Sequence, residues 1–139
     1  MDTISRGLRA DEAMNARLNK LGGAFLGLLL LIPSPLWAHA FPDHSDPRVG
    51  SEISTLPAQA KIWFDAELEP LFSTIEVLDA NQKKVDKGDG RVNPGDHTML
   101  EVSLPTLPAG TYQVSWSVVA HDGHRTEGRF SFTIKRGTP

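Results

Sequence analysis

The sequence contains no cysteine, which rules out a disulfide framework, a thiolate metal site and a thiol nucleophile. Methionine is nearly absent: beyond Met14 only Met99 remains, so no cluster of soft thioether ligands can form. There is no apolar run of membrane-spanning length. Gly22 to Ile32 (GGAFLGLLLLI) covers about 11 residues, where a membrane helix needs roughly 20. Nor is there an excess of positive charge. The 14 basic residues are outnumbered by 17 acidic ones, which argues against nucleic acid as a partner.

The short apolar run is instead part of a leader. Arg17 and Lys20 precede it, and the helix-breaking, small-residue stretch Pro33-Ser34-Pro35-Leu36-Trp37-Ala38 follows it. This is the charged, apolar, cleavable order of a secretory signal. Residues 1–38 are therefore expected to be a signal peptide, with Met14 as an alternative start. Ala38-His39-Ala40 is itself an A-x-A match that would direct cleavage after Ala40, so residue spacing alone leaves two cutting points open. Cleavage after Ala38 leaves residues 39–139, a length that buries one core. Of the charged residues, 4 basic and 3 acidic lie in the leader, leaving 10 and 14 and a net charge of −4.

Beyond the leader, apolar residues alternate in short runs separated by Pro, Gly, Asn and Asp, and no stretch holds a helical period. Strands are expected at 61–64, 74–78, 99–104, 111–120 and 129–135, with a weak one near 84–86 inside a polar loop over 79–95. In the fourth, Tyr112, Val114, Trp116 and Val118 share one face and Gln113, Ser115 and Ser117 the other. Asp122-Gly123 between the last two strands is a hairpin signal, because Gly tolerates positive φ. The last two strands are expected to pair, with a longer loop over residues 125–128 left open. About seven short strands in about 100 residues fit an all-β, immunoglobulin-like Greek-key sandwich.

All five histidines, His39, His44, His97, His121 and His124, lie after the leader. Asp122-Gly123-His124 places a carboxylate and an imidazole two residues apart, an arrangement that ordinary turn chemistry also explains. Cleavage after Ala38 would make His39 the first residue, with a free α-amine beside its ring. These two nitrogens, an Asp122 oxygen and a His124 nitrogen make an N,N,N,O set, and such ligands in a tetragonal arrangement suit Cu(II).

At this point the chain resembles the CopC-type periplasmic copper-resistance proteins. The resemblance spans His39-Ala40, Ser45-Asp46-Pro47, Gly50-Ser51, Phe64, Glu69-Pro70 and Phe72-Ser73. It closes on Leu107-Pro108-Ala109-Gly110-Thr111-Tyr112-Gln113-Val114-Ser115-Trp116, Asp122-Gly123-His124 and Gly128. It implies a CopC-like sandwich over 39–139 that is a binding protein and not an enzyme. It also implies one Cu(II) per domain held by His39, Asp122 and His124, a periplasmic location, and a CopD-type inner-membrane protein as partner.

Two features depart from the family. Where some members carry a glutamate after the second strand, this chain has Ala66, which leaves Glu67 as a candidate beside the metal ligands. The methionine-rich Cu(I) loop of some members is missing, so a Cu(II) site alone is expected. His121 is expected to point away from Asp122, and His44 and His97 to lie outside the site, His97 in a loop. Trp63 and Trp116 read as core and near-site packing. The competing classes are a copper-dependent oxidative enzyme built on an N-terminal histidine chelate, as in lytic polysaccharide monooxygenases, and a metal-free sandwich interaction module.

Overall fold

A computed structural model describes residues 39–137; the signal peptide expected over 1–38 lies outside the described residues. These residues form eight strands and no α-helix. In chain order they are β1 (Pro42–Asp46), β2 (Glu52–Ile53), β3 (Gln59–Phe64), β4 (Thr74–Leu78), β5 (Arg91–Asn93), β6 (Asp96–Ser103), β7 (Gly110–Val119) and β8 (Arg125–Ile134). One sheet has the order β1-β3-β6-β5 and the other β2-β8-β7-β4. All neighbours are antiparallel except β2 and β8. The expected all-β sandwich is thus what the chain adopts, with one strand more than about seven.

The inner faces come from the alternating runs. Ala60, Ile62 and Phe64 of β3, Ile75 and Val77 of β4, Leu100 and Val102 of β6, and Val114, Trp116 and Val118 of β7 are all buried in one core. Phe132 and Ile134 of β8 join them, whereas Phe130 is only partly covered. Trp116 packs edge-on against Phe64, with ring centroids 5.2 Å apart. It also lies across Gly128, its cross-strand partner, where an added Cβ would fall 2.6 Å from the Trp116 Cζ2. Only a residue without a side chain lets the indole cross there. Trp63, by contrast, is not a core residue. It lies on the outer side of β3 and is stacked on His44 of β1, centroids 4.4 Å apart.

Three expectations shift. The weak strand near 84–86 is instead β5 at 91–93. Lys84 makes only an isolated bridge to Leu78, because the Asp86 carboxylate, accepting the Val77 and Gly88 N–H groups at 2.8 Å each, does the tying that a ladder would have done. His97 belongs to β6 and not to a loop. Residues 125–128 are not loop either: they pair with β7 through to Val119↔Arg125, so the hairpin is tighter than its sequence implies.

Near the start of β7 the chain's one tyrosine turns back on its own approach. The Tyr112 hydroxyl donates to the Pro108 carbonyl at 2.7 Å, four residues upstream, and its ring stacks on Phe132. This is the corner that pins strand entry in many sandwiches. Burial pushes the phenol above its ordinary value of 10.0, with the Asp79 charge adding to the shift. The unfolded chain ionises Tyr112 at its ordinary pKa and the folded chain does not. The phenol's contribution is therefore present below pH 10 and is lost as pH rises past it. Tyr112→Phe should lower stability by about 1 kcal/mol in urea melts at neutral pH, and alkaline absorbance titration of the parent should show tyrosinate appearing above 10. A parent phenol titrating at or below the free value would contradict this corner.

Candidate metal centre

One end of the sandwich carries the residues singled out above. The β7–β8 pairing runs in register for ten residue pairs and ends in a three-residue loop, His121-Asp122-Gly123. Gly123 N–H donates to the Ala120 carbonyl at 2.8 Å and closes the turn. Ala120 N–H then donates to His124 O at 2.9 Å. Gly123 stands at φ +87°, the left-handed conformation such loops need at their third position.

The segment joining β3 to β4 supports the loop from below. Leu68, fully buried, donates its N–H to His97 O on one sheet, and Glu69 N–H donates to Val119 O on the other. The Glu67 carbonyl accepts the His121 N–H at 3.1 Å. Glu67 thus braces the hairpin through its backbone, and its side chain has no part in that contact. The carboxylate that reaches the loop is that of Glu69, 3.0 Å from His121 Nδ1. Glu69 enters the family resemblance beside Pro70, but nothing in the local sequence marks it as the acidic residue that reaches this loop.

Asp122 works in two directions. Its Oδ1 accepts the His124 N–H at 2.9 Å, and its Oδ2 stands 3.2 Å from His124 Nδ1. The backbone donor of His124 holds the carboxyl below its usual pKa, with the charges of His124 and His39 acting in the same direction. An ionised oxygen is therefore available across the neutral range. The His39 ring meets the His124 ring with centroids 4.8 Å apart and planes inclined by 58°. All three expected residues are brought to one place, although they come from opposite ends of the domain. They are gathered but not closed into a shell: among the described residues no three His, Asp or Glu groups already surround a common point. A metal ion would have to draw them in.

The other histidines stand elsewhere. His44 pairs with Asp43 at 2.9 Å and stacks on Trp63, and the His97 carbonyl, on β6, accepts the Leu68 N–H. His121 turns to Glu69, away from Asp122, as strand alternation suggested. Of the methionines, Met99 is buried in β6.

Two histidines and an aspartate gathered at one end of a small β-sandwich offer nitrogen and oxygen donors of the types that suit a metal ion. Residues 43–135 match the model of the CopC domain, and the chain belongs to the CopC family of copper resistance and transport proteins. It is 33% identical to "Copper transport protein CutJ" of Bacillus subtilis over 107 residues, 76% of this chain but only 20% of CutJ. It is 32% identical to "Protein YobA" of Escherichia coli over 124 residues, 88% of this chain and 99% of that one. Among solved structures it is similar to CopC from Methylosinus trichosporium, at TM-score 0.62 and 30% identity, over 70% of this chain and 94% of that one. It is also similar to PcoC, a methionine-rich copper resistance protein from Escherichia coli, at TM-score 0.59 and 28% identity, over 70% of this chain and all of the other.

The geometry predicts an unequal response to substitution. If this end of the sandwich holds Cu(II), Asp122→Ala or His124→Ala should weaken its binding strongly in a competitive titration, while His44→Ala or His97→Ala should leave it nearly unchanged. Equal losses across the four would show that this end of the sandwich is not the site.

Proposed function

We propose that the secreted chain begins at His39 and captures one Cu(II) ion in the periplasm through the His39 amine and ring, an Asp122 oxygen and a His124 nitrogen. It thereby lowers free copper and hands the ion to a CopD-type inner-membrane protein. The observation that carries this reading is the meeting of His39 with His124, itself held beside Asp122. The donor set fits the ion: three nitrogens and one oxygen suit a tetragonal Cu(II), and Cu(I), which prefers thioether sulfur, finds no methionine cluster. Handover is supported by the occurrence of a similar domain inside the much longer copper transport protein CutJ.

Of the two cutting points, the one after Ala38 is favoured by the fold. Ala40 is 0% exposed within the core cluster, and its carbonyl accepts the Thr126 hydroxyl at 2.7 Å. Cleavage after Ala40 would discard a core residue together with His39. The intact mass of the secreted protein reads this directly, and a chain starting at Phe41 would overturn the site as written.

Inserting one glycine before His39 leaves every side chain in place but turns the amine into an amide. Cu(II) affinity should fall by orders of magnitude, with one nitrogen lost from the equatorial set by paramagnetic resonance, while the copper-free melting temperature holds. Affinity of the parent should also fall on acidification, because protons compete for the ligand nitrogens. Asp122, held below its usual pKa, should be the last of the ligands to protonate. Matching affinities and spectra for the parent and the extended chain would remove the amine from the site.

A further inference from the structure

We infer that Asp65 and Thr126 are positioning residues that hold the His39 arm in place before metal arrives, an inference that rests on the site proposed above. The arm is the stretch His39-Ala40-Phe41 that leads into β1. A chain end of this kind frays unless something ties it down. Here it is tied at successive residues. The Thr126 hydroxyl donates to the Ala40 carbonyl at 2.7 Å. The Phe41 N–H donates to Asp65 Oδ1 at 2.7 Å, and the Asp65 N–H returns a bond to the Phe41 carbonyl at 3.0 Å.

Hydrophobic burial does not explain the arrangement beyond Ala40. The Phe41 side chain is 56% exposed and its ring meets that of His39 in the same arm, centroids 6.0 Å apart, so the ties of that residue to the sandwich run through its backbone. A carboxylate accepting an N–H makes a stronger bond than a neutral acceptor does, and Asp65 is the first residue past β3, where the strand no longer needs its side chain for packing. Thr126 is the second residue of β8 and lies two positions beyond His124. Because side chains alternate, Thr126 shares the inward direction of Gly128 and Phe130, and its hydroxyl comes up under the arm. The entry into β8 therefore carries a proposed ligand, His124 just before the strand, and the anchor within it that sets where the other proposed histidine sits.

The consequence is preorganisation. If the arm were loose, ordering it at the moment of capture would be subtracted from the binding free energy. An arm already fixed at Ala40 and Phe41 leaves only His39 to adjust. That remaining adjustment agrees with a trio that is gathered but not closed.

The test uses the secreted protein and variants Thr126→Val, Thr126→Ser, Asp65→Ala and Asp65→Asn, with His124→Ala as a control. Competitive Cu(II) titration and paramagnetic resonance report on the metal. Amide hydrogen exchange at Ala40 and Phe41 in copper-free protein reports on the arm without it. Thr126→Val, which keeps the shape but removes the donor, and Asp65→Ala should each weaken Cu(II) binding roughly three- to tenfold, the effect of losing one or two hydrogen bonds. Both should broaden the Cu(II) spectrum and expose the Phe41 amide to exchange. Thr126→Ser and Asp65→Asn keep a donor or an acceptor and should restore most of the affinity, which a general loss of fold would not permit. Parental affinity and spectrum in Thr126→Val and Asp65→Ala, with the arm amides exchanging freely, would overturn the inference. If the parent binds no Cu(II), or His124→Ala binds as the parent does, the site itself is wrong and the positioning role falls with it. Protected arm amides would then mark the ties as part of the fold alone.

Discussion

The pairing of β7 with β8 is the constraint on which the other features depend. Ten consecutive residue pairs in register mean that no side chain on this hairpin is placed independently. A slip by one residue would turn Val114, Trp116 and Val118 outward and bring a side chain into the space that Gly128 leaves for the Trp116 ring. The same register carries the ladder to Val119↔Arg125, and the Ala120 N–H bond to His124 O just beyond it leaves room for only three loop residues, the third of which must accept positive φ. The loop's shape then makes Asp122 hold the His124 backbone with one oxygen and face its ring with the other. Core packing and site geometry are thus consequences of one ladder.

A long hairpin by itself would leave its tip free to bend. The connection between β3 and β4 prevents this by running beneath the tip and bonding to both sheets, through Leu68 to His97 and Glu69 to Val119. Most of these bonds are backbone to backbone. They therefore constrain the sequence of residues 67–69 weakly, apart from the apolar plug at Leu68. The acidic side chains there remain available for other contacts, as the Glu69 pairing with His121 shows. A rigid tip meeting an arm tied by side-chain bonds produces a gathering point in which most of the order precedes any ligand.

The absence of sulfur ligands separates this chain from its relative PcoC, a methionine-rich protein. Met99, the one methionine among the described residues, lies buried in β6 and serves the fold. The remaining donor types at this end are nitrogen and oxygen, which suit a harder ion than thioether sulfur does.

Much of this was legible in the sequence, and for a physical reason. Strands with one buried face must alternate, so β3, β4, β7 and β8 announced themselves through side-chain period alone, and Asp-Gly marked the turn between the last two. The short elements did not: β1, with the polar sequence PDHSD, and the two-residue β2 are strands only because longer neighbours offer them an edge. The candidate site divides along the same line. Asp122 and His124 are two residues apart, and their proximity is a property of the chain that any hairpin there would preserve. That His39 lies against His124, that Asp65 and Thr126 hold the arm, and that Glu69 and not Glu67 reaches the loop depend on segments up to 86 residues apart meeting across the end of the sandwich. Local pattern encodes which face a residue presents, but which distant face it meets is settled only when the two sheets close on a common core.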